Sequence, residues 1–245
     1  MAALTAAALI IGNEILTGKV VEQNVLVMAK ELFAIGVELR RIIVCPDEIP
    51  VIARDIRELS AAHDVVITTG GVGPTHDDVT IKAVAAAFDV PVVRAEPYES
   101  MMRAYYGDRI TEMHLRMADV PEGSRLISTP ELKWPTIVMR NVYVFPGVPQ
   151  IFRVKFPVMR EELKGTSRFF SRAVYVMLDE PALAPLLDQL ASAHPHVNIG
   201  SYLFWGDGAD YKTKLTIDGR AEDAVVACFE AMLAGIAADK LVRAE

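Results

Sequence analysis

Three glycines and two adjacent carboxylates stand close together in one short segment of the sequence. The segment reads Thr68-Thr69-Gly70-Gly71-Val72-Gly73-Pro74-Thr75-His76-Asp77-Asp78. It follows an apolar stretch typical of a strand, 64–67, and precedes an amphipathic stretch typical of a helix, 79–88. Because glycine lacks a Cβ, the backbone at such a junction can approach a ligand closely, and its N–H groups can bind an anion such as phosphate. The segment therefore predicts a phosphate-binding turn built on Gly70, Gly71 and Gly73.

The paired carboxylates Asp77 and Asp78 add a metal to this prediction. Two carboxylates repel a phosphate unless a cation lies between them, and Mg²⁺ or a similar hard ion binds both kinds of oxygen. The simpler alternative is that Asp77 or Asp78 only caps the following helix. The segment is not a Walker A loop, since no Gly-Lys-Ser/Thr follows, and it is not a Gly-x-Gly-x-x-Gly dinucleotide fingerprint.

Two more turns are expected at the same edge of the predicted sheet. Gly12, Asn13 and Glu14 follow the first predicted strand, and ligands bind outside the carboxyl ends of the strands in open parallel sheets. Pro146 and Gly147 follow a later strand. Each turn also has a plainer interpretation, an ordinary loop for the first and a rigid strand-to-helix turn for the second.

Several polar residues near these turns have more than one interpretation. Asn24 is either a helix cap or a residue that reaches the pocket. His76 is a metal ligand, a general base or an exposed loop histidine. No spacing supports a covalent nucleophile, so a metal-activated water that attacks a phosphoanhydride is the simplest chemistry. Either His76 or Glu14 would accept the proton of that water.

The order of the elements predicts an α/β fold. Strand-like and helix-like patterns alternate over the first part of the chain, which is typical of a mainly parallel sheet covered by helices on both faces. A polar break at 165–168 predicts a boundary between one domain at 1–165 and a smaller α/β lobe at 170–245, of order β-α-β-β-α. In the larger domain, 136–140 and 142–145 are expected to form a hairpin, followed by a helix from 149 to about 163. The smaller lobe is expected to close with a helix at 222–238.

Composition excludes several classes of protein. The chain has 245 residues, is 52% hydrophobic, and carries a net charge of −7, which argues against disorder and against nucleic-acid binding. Its cysteines, Cys45 and Cys228, lie far apart in apolar segments, as expected for free thiols in a reducing compartment. The apolar start has no basic region or cleavage site, and no membrane span is expected. These features predict a cytoplasmic protein.

Several motifs resemble those of a known superfamily. The stretch 70–78 resembles the signature of the MoaB/Mog molybdopterin-binding domain. The stretches 12–18 and 145–149, with Asn24, resemble the branch that contains competence/damage-inducible protein A. The stretches 73–80 and 140–147, with features of 200–216, are similar to the amino-terminal molybdopterin-binding-like domain of eukaryotic FAD synthase. Lys133-Trp134-Pro135 stands where the competence branch commonly has a Gly-Thr-Ala-Pro-Gly-like segment.

The resemblance implies a three-layer α/β/α domain that binds a nucleotide or a pterin through its phosphate, with Mg²⁺ and possible use of Mn²⁺ or Co²⁺. Mapped by motif, it implies metal ligands at Asp77 and Asp78 and a pocket wall at Glu14. The residues implied to bind the ligand are Gly12, Asn13, Gly70, Gly71, Gly73, Pro74, Thr75, Pro146 and Gly147. The implied activity is metal-dependent hydrolysis of a nucleotide pyrophosphate of the FAD or ADP-ribose class. Molybdopterin binding or transfer is one alternative, and a non-catalytic nucleotide-sensing domain is another.

The resemblance also implies self-association, and the second lobe is short for an independent core. We expect a dimer or a trimer of the chain in solution. Light scattering should give a mass two or three times that of one chain. A monomer at high micromolar concentration would contradict this expectation.

Overall fold

The computed structural model describes residues 4–129, 132–163, 168–206, 208 and 210–245. The chain divides into two compact units, residues 1–166 and 167–245. The polar break at 165–168 lies outside the described residues except for Arg168.

The first unit is a helix-covered sheet. Its strands are β1 (Thr5–Ile11), β2 (Glu38–Cys45), β3 (Val65–Thr69), β4 (Val92–Arg94), β5 (Asp119–Pro121), β6 (Arg125–Ile127), β7 (Thr136–Met139) and β8 (Val142–Phe145). Its helices are α1 (Asn13–Leu16), α2 (Asn24–Ala34), α3 (Ile49–Ala62), α4 (Thr80–Ala87), α5 (Glu96–Tyr106), α6 (Glu112–Leu115), α7 (Pro149–Lys155) and α8 (Val158–Glu162). Short 3₁₀ turns flank α6, at Gly107–Arg109 and Arg116–Ala118.

The main sheet is mostly parallel, as predicted. Its strand order is β2-β1-β3-β8-β7-β6. The pairs β2–β1, β1–β3 and β3–β8 are parallel, whereas β8–β7 and β7–β6 are antiparallel. The predicted hairpin is therefore present as β7 and β8. β4 and β5 form a separate antiparallel pair that the sequence patterns did not predict.

Helices pack against both faces of the main sheet, which confirms the three-layer fold. Successive residues of β1 point to opposite faces, because the side-chain period of a strand is two. One cluster contains Leu9 with side chains of α3, α4 and α5, and the other contains Ala8 with side chains of α2, α7 and α8. This explains why β1 is apolar along its whole length rather than alternating.

The second unit is a four-stranded antiparallel sheet with two helices. Its elements are β9 (Phe170–Val176), α9 (Glu180–Ala193), β10 (Val197–Leu203), β11 (Thr213–Gly219), α10 (Glu222–Gly235) and β12 (Leu241–Ala244). The strand order is β10-β11-β9-β12. β12 was missed, because the sequence patterns extended the closing helix to residue 238. The helix ends at Gly235, and the chain then returns to pair with β9.

A second correction concerns the helix expected to run from 149 to 163. It is two helices, α7 and α8, separated at Phe156 and Pro157. Proline has no N–H to donate and its ring clashes with the preceding turn, so it interrupts a helix. Among the described residues, no helix is both long and apolar enough to cross a membrane.

The aromatic cluster under α7 gives a test of the core. The Phe152 side chain is fully buried, and its ring centroid lies 5.4 Å from that of Phe145 and 4.9 Å from that of Phe156. We expect Phe152→Ala to lower the free energy of unfolding by about 3–5 kcal/mol, because it leaves a cavity. Val154→Ala is the control on the same helix, since Val154 is 58% exposed. Equal losses for the two variants in urea denaturation would contradict this packing.

Candidate active site

Three strand ends meet at one edge of the main sheet. β1, β3 and β8 are parallel neighbours, so their carboxyl ends lie side by side. A Cβ added to Gly70 would lie 2.0 Å from the carbonyl oxygen of Ile11, and one added to Gly147 would lie 3.2 Å from the Cα of Gly70. Gly70 also has a φ of +105°. Glycine is therefore needed at 70 for a steric reason as well as a conformational one.

Asn24 holds these strand ends together. Its side chain is buried, and Nδ2 donates to Oγ1 of Thr69 and to the carbonyl oxygen of Gly147, both at 2.9 Å. The Thr69 hydroxyl in turn donates to the carbonyl oxygen of Pro146 at 3.0 Å. Asn24 is the first residue of α2. Its side chain joins α2 to the ends of β3 and β8, a contact that the sequence did not predict.

The glycine loop after β3 is fixed at its far end by Thr80. The Thr80 hydroxyl donates to the carbonyl oxygen of Gly70 at 2.8 Å, and its N–H donates to the carbonyl oxygen of Gly71 at 3.0 Å. Within the described residues, the N–H groups of Gly71, Val72 and Gly73 have no hydrogen-bond acceptor. Successive backbone N–H groups without a protein acceptor are able to bind an anion.

Asp78 closes the second half of the loop. Its Oδ2 accepts the N–H of Thr75 at 2.8 Å and also the Thr75 hydroxyl. The helix-cap alternative is wrong, because α4 begins at Thr80 and its N-cap residue, Val79, makes no side-chain capping bond. Oδ2 of Asp78 therefore holds the loop, and Oδ1 accepts no hydrogen bond from the described residues.

Asp77 and His76 project from the same loop into solvent. The His76 side chain is 97% exposed and that of Asp77 is 68% exposed, with Nδ1 and Oδ1 3.8 Å apart. The Thr75 hydroxyl, which lies near Asp77 although it donates to Asp78, holds the pKa of Asp77 below its ordinary value together with the Asp77 N–H and the His76 ring. Asp77 is therefore a carboxylate that stays ionised at neutral pH.

The donor set fits a hard cation that a ligand helps to hold. No group of three or more His, Cys, Asp or Glu side chains suited to a metal exists in the described parts of the chain. Mg²⁺ commonly binds through one or two carboxylates, with phosphate oxygens and waters as the remaining ligands. Asp77 and Asp78 match that smaller set.

A cavity of about 470 Å³ lies beside the glycine loop. Of the residues expected at the site, those that line it are Gly71, Gly73, Pro74, Thr75, His76, Asp78 and Pro146. Those that do not line it are Gly12, Asn13, Glu14, Gly70, Asp77 and Gly147.

The turn after β1 has a different placement from the one expected. The Glu14 carboxylate folds back over Gly12, about 2.5 Å from where a Cβ would be. The Asn13 N–H donates to Asp47 at 2.7 Å. The turn supports the strand ends, and Glu14 is not part of the cavity wall.

The cavity is also lined by groups that the sequence did not assign to the site. Lys155 is buried at its wall, and Lys82 and Arg116 are further cations there. Tyr98 and Trp134 supply aromatic surface. The Trp134 ring stacks on Tyr106 with the centroids 6.0 Å apart. One signal was available for Lys155, because it lies three residues after Phe152 and therefore on the buried face of α7.

Comparison with known proteins places the chain in a family. Residues 7–164 match the family described as "Probable molybdopterin binding domain", and residues 168–245 match "FAD synthase, middle domain". The chain belongs to the molybdopterin-binding-domain family, which confirms the resemblance seen in the motifs at 70–78 and 145–149.

Individual relatives extend the likeness beyond the first unit. A protein from Archaeoglobus fulgidus is 34% identical over 78% of this chain and 82% of its own length. A protein named "Probable FAD synthase" from Caenorhabditis elegans is 33% identical over 94% of this chain. The chain spans only 50% of that relative's length. The crystal structure of the protein CinA from Thermoplasma acidophilum is similar with a TM-score of 0.60 and 30% identity, over 66% of this chain and 98% of that one.

The close approach at Gly70 can be tested against another glycine with positive φ. Gly123 has a φ of +82° but open space where its Cβ would be, so Gly123→Ala should cost only about 1–2 kcal/mol of unfolding free energy. Gly70→Ala should cost about 1–3 kcal/mol more, because its Cβ would overlap the Ile11 carbonyl. Chemical denaturation measures both. Equal losses would show that the strand ends do not approach as described.

Proposed function

We propose that the protein is a metal-dependent hydrolase that cleaves the phosphoanhydride of a nucleotide pyrophosphate, of the FAD or ADP-ribose class. The observation that carries the proposal is the row of unsatisfied N–H groups at 71–73 on the wall of the cavity, next to the carboxylate of Asp78. The likeness to a protein named "Probable FAD synthase" supports a flavin nucleotide as one candidate.

The cavity suits a ligand with both a charged and a planar part. Its volume of about 470 Å³ lies within the roughly 300–1,000 Å³ of typical small-molecule sites. The glycine loop and the cations Lys82, Lys155 and Arg116 suit phosphates. Tyr98 and Trp134 offer surface against which a planar ring can pack.

The loop has two roles in this proposal. Its N–H groups bind phosphate oxygens, on which negative charge builds as the anhydride breaks. Asp77 and the free Oδ1 of Asp78 hold a divalent cation, with Mg²⁺, Mn²⁺ and Co²⁺ as the candidates. Such a cation, when bound, supplies charge neutralisation and lowers the pKa of a bound water. Because the interaction between Thr75 and Asp78 fixes the loop, the carboxylate is held in one place before the ligand arrives.

The geometry favours His76 over Glu14 as the proton acceptor. His76 lines the cavity and its ring is free in solvent, whereas the Glu14 carboxylate lies over Gly12. A general base must come within hydrogen-bond reach of the proton that it takes, directly or through one water. His76 is therefore proposed for that role.

Molybdopterin binding or transfer, without hydrolysis, is the second candidate. The family description favours it directly. A pterin has the same two requirements, a phosphate cradle and a surface for a planar ring. A domain that only senses a nucleotide would use the same cavity, so turnover is the observation that separates the first proposal from the other two.

The proposal predicts hydrolysis of FAD or ADP-ribose by the purified protein with Mg²⁺, Mn²⁺ or Co²⁺, and none in EDTA. We expect Asp77→Asn to lower kcat/KM by about 100-fold or more, because a cation contributes several kcal/mol to the transition state. It should also weaken cation binding in calorimetry. The matched control is Asp89→Asn, since Asp89 is an exposed aspartate just beyond the other end of α4. This variant should leave kcat/KM and cation binding unchanged.

Two outcomes would count against the hydrolase. Full activity of Asp77→Asn would remove the metal assignment. Tight molybdopterin binding without cleavage of any pyrophosphate under any of the three cations would replace the hydrolase with the second candidate.

A further inference from the structure

Lys155 is a buried cation whose known contacts do not use its full hydrogen-bonding capacity. Its residue is 9% exposed, and it is the last residue of α7. The ammonium donates to the carbonyl oxygens of Trp134 and Pro135 at 2.8 and 2.7 Å. An ammonium has three N–H donors, so one remains. No carboxylate pairs with it among the described residues.

A buried charge without a counter-ion is unfavourable. Removing an ammonium from water costs free energy unless an opposite charge is near. Burial accordingly lowers the pKa of Lys155 to about 8. The two carbonyl contacts do not need the charge, because a neutral amine still has two N–H groups for two carbonyls. A purely structural role would therefore not need the third proton.

The position of Lys155 indicates a role for the third proton of its ammonium group. Lys155 lines the same cavity as Gly71, Gly73 and Asp78. We propose that the Lys155 ammonium is an anion-binding group of this cavity, which takes a phosphate oxygen of a nucleoside diphosphate moiety with its third N–H. This inference rests on the proposed function for the ligand class, but it concerns binding and does not require hydrolysis.

The same contact would link the phosphate to the aromatic wall. The carbonyl oxygens that Lys155 binds belong to Trp134 and Pro135, which also line the cavity. The Trp134 ring is held by edge contact with Tyr105, at 5.2 Å between centroids. Lys155 therefore connects the proposed phosphate position to the aromatic wall of the cavity.

Other titratable or charged groups line the same cavity, and their effects on binding must be distinguished from that of Lys155. They are His76, Asp78, Lys82, Tyr98, Arg116 and Asp119. Burial raises the pKa of Tyr98 above its ordinary value, so its hydroxyl stays neutral in mildly alkaline solution. Asp119 accepts a hydrogen bond from Nε of Arg94 at 2.5 Å, and Asp78 is bound by Thr75. His76 and Lys82 are exposed and can be replaced as controls.

The test is the pH dependence of ADP binding to the full chain, measured by calorimetry in EDTA so that no turnover occurs. The ADP phosphates are fully ionised above pH 7.5, so the ligand does not titrate in this range. Since the anion binds the protonated lysine, the affinity of the unmodified protein should fall above pH 8, approaching tenfold per pH unit. An affinity of the unmodified protein that does not fall above pH 8 would overturn the inference, as would no binding of ADP at any pH.

Variants assign the titrating group. Lys155→Gln, which keeps donors for a carbonyl, should weaken ADP binding about tenfold to a hundredfold at pH 7.5 and leave little dependence between pH 7.5 and 9.5. Lys82→Gln and His76→Gln should keep the fall above pH 8, whatever their effect on the affinity itself. A fall that disappears in Lys82→Gln instead would assign the effect to Lys82 and overturn the inference.

The controls also decide the question if Lys155→Gln does not fold. A fall above pH 8 that persists in both Lys82→Gln and His76→Gln leaves Lys155 as the titrating cation. Hydrolysis is a separate measurement. If ADP binding weakens above pH 8 but no hydrolysis occurs, the role of Lys155 is supported and the proposed hydrolase is rejected. If hydrolysis occurs but ADP binding does not depend on pH, the hydrolase is supported and the role of Lys155 is rejected.

Discussion

The approach of Gly70 to the carbonyl group of Ile11 is the constraint on which the site depends. It brings the ends of β1 and β3 so close that no side chain fits between them, and Gly147 brings the end of β8 to the other side of Gly70. Asn24 then ties two of these ends to a helix. The glycine loop starts from this rigid base, and its direction is set before any ligand is present.

The chemistry of the site comes from two sources that differ in kind. The loop offers N–H groups, whose positions follow from the backbone and from the hydrogen bonds of Thr80. The formal charges come from side chains, with carboxylates on the loop and cations elsewhere on the cavity wall. The buried Lys155 is the most costly of these groups to keep charged, which fits a position that receives an anion.

Much of the fold could be predicted from sequence, because the main sheet has strong local signals. Apolar strands alternate with amphipathic helices, and glycine or proline marks the turns. β12 was missed because its four residues follow a helix with little change in composition. The 149–163 helix was predicted as continuous because its apolar pattern is continuous, although Pro157 interrupts it.

The site was predicted in part for a similar reason. The glycines and carboxylates of 70–78 are contiguous, so one segment of sequence shows them together. Lys155 and Trp134 come from distant segments, and only the fold brings the ammonium to the Trp134 carbonyl. Glu14 was expected in the pocket because it follows β1, but strand position does not determine where a side chain on a short helix points. Asn24 could be named as a candidate from the sequence, but its partners could not, because they are 45 and 123 residues away.

Some parts of the site act through the backbone and others through side chains, and this difference affects how the sequence of such a protein can change in evolution. The start of the glycine loop tolerates little change, since a Cβ at 70 would meet the carbonyl oxygen of Ile11. The segment 133–135 is attached in two ways, through the carbonyl groups of Trp134 and Pro135, which any amino acid provides, and through the ring of Trp134, which packs on Tyr105 and Tyr106. After gene duplication, substitutions there can change the aromatic wall of the cavity while the glycine loop is inherited unchanged. The aromatic wall and the glycine loop are thus separately mutable parts of this architecture.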